Sequence, residues 1–194
     1  MVRNVIDIEV LKDKNLTKSY KDVKRKELPK YLKADYIRNT LKNVKKPRDN
    51  VFIRFLWMTG VRISEALKVK VGHIDFDQQT VVINHLKSRK WKRRTIPLHH
   101  KLVSMLLIYT GAMNKDKLLF NFTRQRADQI VKKYFGNGVS CHTFRDSFAV
   151  HYMQSGGELY KLQRLLGHSH ITTTTKYLKI VPEDLRDKLD EVEF

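Results

Sequence analysis

Residues 140–177 read SCHTFRDSFAVHYMQSGGELYKLQRLLGHSHITTTTKY, and the spacing within this stretch decides the fold. His142 and Arg145 stand three apart, so on a helix they share a face and point at one small anion. Phe144, Phe148 and Tyr152 recur every fourth position and are expected to bury the other side of that helix. After Gly156-Gly157 comes an amphipathic segment ending at Gly167-His168, and Tyr177 follows nine residues on. A phosphate held between Arg145 and His168, with the Tyr177 phenol behind it, is the arrangement that a tyrosine nucleophile attacking a phosphodiester requires.

Outside this stretch, charge is the dominant signal. The 194 residues suffice for one well-buried core and carry a net charge of +19, with a pI near 10.0. So large an excess favours a polyanionic partner, nucleic acid first and a membrane surface second. The membrane reading is weak, because the chain has no run of about eighteen apolar residues and no signal-peptide pattern at its start. Cys141 is the one cysteine, which excludes an intrachain disulfide and suits a reducing compartment. The expectation is a soluble, cytoplasmic, nucleoid-associated protein.

Residues 1–28 read as a basic arm or linker, apart from the alternation Val5-Ile6-Asp7-Ile8-Glu9-Val10. Tyr36, Ile37, Leu41 and Val44 have helical spacing up to Pro47. A stronger helix follows, with Asp49 as its expected N-cap, Val51, Phe52, Phe55 and Leu56 on one side, and Gly60 ending it in a left-handed conformation. ISEAL starts another short helix, with Ser64 as its expected cap. Three strands are predicted at residues 74–76, 80–83 and 95–98, the last two joined by the cationic tip LKSRKWKRR. Helices are predicted around Leu102, Val103, Leu106 and Leu107, and from Thr123 to Tyr134. The fold class is therefore α+β, mostly helical with a small three-stranded antiparallel sheet. Residues 182–194, opening on Pro182 with Leu185, Leu189 and Val192 in one stripe, read as a C-terminal helix packed on its own domain or exchanged with a neighbouring copy.

TGVRISEAL, HTFRDSFAVHYM, LLGHSHITTTTKY and the basic hairpin between them resemble the tyrosine recombinase (phage integrase) family over residues 29–181. The resemblance implies that Arg62 and Arg145 are the two catalytic arginines, His142 and His168 the two histidines, and Tyr177 the nucleophile. It implies Lys87 as the hairpin lysine, with Lys90 and Lys92 close by and the family's Gly-Lys-Gly turn absent. Glu65 matches an acidic position that orients the site. Arg89, Lys90, Lys92, Arg93 and Arg94 are expected to grip DNA. The implied activity is site-specific recombination of double-stranded DNA at inverted-repeat sites by a homo-tetramer, through a 3′-phosphotyrosyl intermediate and with no cofactor. Two features depart from the family. Residues 1–28 are too few for the helical domain that usually precedes the catalytic one, so the chain is either a fragment or akin to the short recombinases. Asp146 stands where many relatives have histidine.

Chemistry asks for these residue types independently. Two guanidiniums can each bind the non-bridging oxygens of a phosphate in pairs. His142 is expected to accept the phenolic proton, His168 to donate to the phosphate, and the hairpin lysine to protonate the leaving 5′ oxygen. Competing readings are a type IB topoisomerase-like enzyme and a DNA-binding regulatory module with an idle site. A thiol nucleophile at Cys141 is disfavoured, because adjacent helical residues point about 100° apart. No metal is expected: neither His168 with His170 nor His99 with His100 has the cysteines or carboxylates to complete a tetrahedral site. Thr172 to Thr175 are poor helix formers, so the segment carrying Tyr177 should be only marginally stable. In the free protein, amides of residues 171–177 are expected to exchange with solvent deuterium faster than those around Phe148; equal protection would contradict this.

Overall fold

Pro47 begins the helix on which the others pack. The computed structural model describes residues 29–84 and 93–180. The chain runs α1 (Ala34–Lys42), α2 (Pro47–Thr59), α3 (Ile63–Ala66), β1 (Ile74–Asp75), β2 (Thr80–Asn84), β3 (Arg93–Pro97), α4 (His100–Thr110), α5 (Arg124–Phe135), α6 (Cys141–Gln154) and α7 (Leu159–Leu166). Two 3₁₀ turns, Ile171–Thr173 and Thr175–Ile180, carry the tyrosine. The expectations for residues 1–28, for the hairpin tip at 85–92 and for 182–194 lie outside the described residues.

In α2, Val51, Phe52, Ile53, Phe55 and Leu56 are all buried, and the helix packs against both α4 and α6. Its N-cap is Lys46 and not Asp49. Proline at the first helical position supplies a preset φ and lacks only an N–H that would be unpaired there anyway, so the helix starts three residues earlier than an Asp49 cap implies. Asp49 lies instead in the first turn, buried, accepting from the Tyr134 hydroxyl at 3.2 Å. Likewise Ser64 does not cap α3: Arg62 is the N-cap, and the Glu65 carboxylate reaches back to accept the Arg62 backbone N–H at 2.9 Å.

The sheet has the order β1-β2-β3, antiparallel throughout. Val81 pairs with Ile96 and Ile83 with Arg94, which places all four side chains on one face. Val81, Ile83 and Ile96 on that face are buried.

Helix α6 departs from the expected one-sided pattern. Cys141, Thr143 to Ser147, Ala149, Val150 and Met153 are all buried, whereas Phe148 and Tyr152 are only half-buried. The helix runs between two apolar clusters. Phe144 packs edge-on against Phe135 in the larger one, and Ala149, Val150 and Met153 join Leu162, Leu166 and Tyr177 in the smaller. A helix enclosed this way needs no amphipathic stripe.

Gly60 ends α2 at φ +63°, and a Cβ built there would collide with the Phe148 ring. Gly60→Ala is therefore expected to cost at least ~2 kcal/mol in urea or thermal unfolding, from the left-handed backbone plus the clash. Adding Phe148→Leu should restore the steric part and leave about 1 kcal/mol of the loss.

Candidate active site

Arg145 is the centre of the site and is only 1% exposed. Its Nη1 donates to the Gly60 carbonyl at 2.7 Å, and Nη2 donates to the Leu166 carbonyl at 2.9 Å. The same Nη2 lies 2.8 Å from His168 Nε2. Burial, then the neighbouring Arg62 charge, push its pKa down to about 10, still well above neutrality. Because guanidinium only donates, His168 Nε2 is the acceptor, and His168 Nδ1–H donates to Thr174 Oγ1 at 2.9 Å. Burial, followed by the charges of Arg145, Arg62, Lys176 and Arg94, pushes the His168 pKa down to about 3, so the ring is neutral near pH 7.

Arg62 sits at the start of α3 and is 36% exposed, with Nη1 3.3 Å from Glu65 Oε1. The carboxylate is held far more closely by Arg94, whose Nη1 and Nη2 meet Oε1 at 3.1 Å and Oε2 at 2.8 Å. Arg94 Nε also donates to the Leu165 carbonyl at 3.2 Å. Burial alone would raise the Glu65 carboxyl, but the Arg94 hydrogen bonds and charge, with help from Arg62, outweigh it and hold the pKa below the usual range.

Arg94, expected among the DNA-gripping cations, points inward from the buried face of β3 and braces Glu65 and the end of α7. Arg93, its neighbour on the opposite face, is exposed. Counting back two residues from buried Ile96 reaches Arg94, so strand alternation already carried this signal.

Tyr177 is fully buried in the smaller apolar cluster. Its hydroxyl donates to Asp146 Oδ1 at 2.7 Å, and Lys176 Nζ reaches the same oxygen at 3.0 Å. His142 Nε2 lies 3.6 Å from Asp146 Oδ2. Burial, then the hydrogen bond and charge of Asp146, push the Tyr177 phenol above its usual value, against the opposite pull of Arg145 and Arg62. The His142 ring is held below its usual value, chiefly by desolvation, with Asp146 pulling upward and Lys176, Arg145 and Arg62 downward.

Arg62, His142 and Arg145 line one cleft of about 290 Å³, together with Ser64, Arg124 and Ser140. His168 joins them through Arg145, and Tyr177 through Asp146. Glu65 lies behind Arg62. Lys87, Arg89, Lys90 and Lys92 fall outside the described residues. Cys141 is buried, and its thiol is pushed well up by burial and by Asp128, which leaves no thiolate to react. Among the described residues, no group of three or more His, Cys, Asp or Glu is placed to hold a metal ion, and no helix is long and apolar enough to cross a membrane. The sequence did not point to Thr174 or Lys176 as site residues, nor to the pairing of Arg94 with Glu65.

Residues 26–183 match the phage integrase family. Tyrosine recombinase XerA of Thermococcus onnurineus is 31% identical over 176 residues, which are 83% of this chain and 62% of that protein. A tyrosine recombinase of Pseudothermotoga lettingae is 29% identical over 202 residues, covering 97% of this chain and 70% of its own length. Among solved structures, the catalytic domain of bacteriophage HP1 integrase matches with a TM-score of 0.67 at 27% identity, over 83% of this chain and 94% of that one. The fold is that of a tyrosine recombinase catalytic domain. The chain belongs to the phage integrase family and spans 62% of the length of the XerA relative.

The Glu65 side chain is 2% exposed and Arg94 14%. Arg94→Met, similar in volume but uncharged, is expected to cost about 3 kcal/mol, because it leaves a buried carboxylate with only Arg62 to face. Chemical denaturation measures this, and a loss below about 1 kcal/mol, the level of a surface pair, would contradict it.

Proposed function

We propose that this chain is a site-specific DNA recombinase that cuts and rejoins strands through a 3′-phosphotyrosyl bond to Tyr177. The observation that carries this reading is the gathering of Arg62, Arg145 and His168 beside a tyrosine whose hydroxyl is one hydrogen bond from the same helix. In the proposed reaction a backbone phosphate enters the cleft, where Arg62 and Arg145 neutralise the charge that builds on its non-bridging oxygens. Neutral His168 is already oriented by Thr174 and Arg145. The phenolic oxygen attacks phosphorus, the 5′ oxygen leaves with a proton from a hairpin lysine, Lys87 by the resemblance, and the ester keeps the bond energy for rejoining. The net charge of +19 suits a duplex partner. Two inverted half-sites and a tetramer on DNA complete the proposal, with the nucleoid as the place of action.

A pool of nicked suicide duplexes carrying randomised inverted repeats tests the reading, with sequencing of whatever DNA becomes covalently bound. The expected result is a set of adducts enriched for one repeat sequence and abolished in Tyr177→Phe. Adducts without sequence preference would make the chain a topoisomerase-like enzyme. No adducts from the unmutated chain would leave a DNA-binding module.

A further inference from the structure

The proposed reaction has to remove the proton of Tyr177, and the geometry names a different acceptor from the histidine expected above. Among the described residues the phenol has one hydrogen-bond acceptor, Asp146 Oδ1 at 2.7 Å. His142 comes no nearer to this proton than the far carboxylate oxygen, Oδ2, at 3.6 Å. His168 is also excluded, because its Nε2 lone pair is taken by Arg145 and its other nitrogen faces Thr174.

We propose that Asp146 is the general base for Tyr177, receiving the phenolic proton directly on Oδ1 during strand cleavage and returning it during rejoining. The inference rests on Tyr177 being the nucleophile. In the forward step the Tyr177 O–H bond breaks as the Oη–P bond forms, and the proton passes to Asp146 Oδ1. The P–O5′ bond breaks, and the 5′ oxygen takes its proton from the hairpin lysine. Rejoining reverses each transfer, so protonated Asp146 is then the acid that lets the phenol leave.

Three features of the surroundings fit this role. Burial and the adjacent carboxylate keep the phenol protonated in the resting protein, so its proton must leave during attack and not before. A hydrogen bond of 2.7 Å is already within transfer distance. Transfer to a carboxylate is unfavourable from a free phenol, but it becomes favourable as the oxygen bonds to phosphorus and loses its basicity.

The charged and titratable groups facing Asp146 divide by element. From α6 come His142 and the adjacent Arg145, and from the last 3₁₀ turn come Lys176 and Tyr177. Lys176 balances the carboxylate while it is ionised. Once Asp146 is protonated, the Lys176 charge is released from its partner at the moment when negative charge accumulates on the phosphate.

The test is single-turnover cleavage of a nicked duplex, selected as above, in two forms: an ordinary 5′ oxygen and a 5′-bridging sulfur, whose thiolate leaves without a proton. Adducts that Tyr177→Phe abolishes establish the nucleophile by themselves, so a later failure counts against Asp146 alone; no adduct from the unmutated chain overturns both. Asp146→Asn keeps an oxygen to accept from the phenol but cannot take its proton. It should slow adduct formation ~100-fold on both substrates, leave duplex affinity within about threefold, and lose the acid limb of the pH–rate profile. His142→Gln removes a cleft-lining ring and is expected to slow the step, but it should keep the solvent isotope effect on the sulfur substrate. Should Asp146→Asn cleave as fast as the unmutated chain or faster, or lose only DNA affinity, the carboxylate is a restraint or a structural group and the proposal fails. If Asp146→Asn does not fold, His142→Gln still decides: a solvent deuterium isotope effect of about two retained on the sulfur substrate supports an acceptor other than that histidine, and an effect near one overturns the proposal.

Discussion

One buried cation holds this site together. Ionised groups leave water at a cost of several kcal/mol, so a guanidinium as enclosed as that of Arg145 persists only where its donors find strong acceptors. Two of those acceptors are the carbonyls of Gly60, which caps α2, and Leu166, the last residue of α7. The final carbonyls of a helix lack partners within it and carry the negative end of its dipole. Both helices stop at a glycine in the left-handed region, Gly60 at φ +63° and Gly167 at φ +66°, which turns the chain away and leaves those carbonyls open to a side chain. Arg145 is thus the shared cap of two helix ends that lie more than a hundred residues apart in the chain.

From this follows a division between a rigid half and a looser half. The cation cradle is tied to backbone atoms at both helix ends. The tyrosine segment is fastened to it through side chains: Thr174 to His168, and Lys176 and Tyr177 to Asp146. Its own backbone consists of short 3₁₀ turns, whose hydrogen bonds are poorer than those of an α-helix. Electrostatics follow the same division. Around the cleft, Arg62, Arg94, Arg124, Arg145 and Lys176 stand against three carboxylates, Glu65, Asp128 and Asp146, while His168 stays neutral. The surplus of positive charge is therefore structural, present before any anion arrives, and needs no reorganisation to act on one.

Local pattern carried much of this. The spacing of His142, Arg145, His168 and Tyr177, the left-handed Gly60 and the three short strands could all be read from neighbours in the chain. Capping was misread at Asp49 and Ser64 because a proline and a glutamate nearby offered better solutions to the same unpaired N–H groups. The pairing of Arg94 with Glu65 was less legible, because a run of cations reads as a run, although the two-residue period of its strand assigns one of them to the interior. Asp146 is a different kind of miss. Its partners Lys176 and Tyr177 are about thirty positions away, beyond a turn and a helix, and no local periodicity reports such a contact.

The pairing of Glu65 explains why two arginines next to one carboxylate end in such different states. A carboxylate this buried demands a close partner, and in the planar fork of Arg94 it has one, at 2.8 and 3.1 Å. Arg62, at 3.3 Å and through one nitrogen, adds little to what Arg94 already supplies. Without Arg94, Arg62 would be drawn fully onto Glu65, and its guanidinium would be spent on the protein's own anion. With Arg94 in place, Arg62 remains partly exposed on the cleft wall, charged and only loosely held. An inward-facing arginine on the sheet thus sets how much of another arginine's charge is left for an anion from outside.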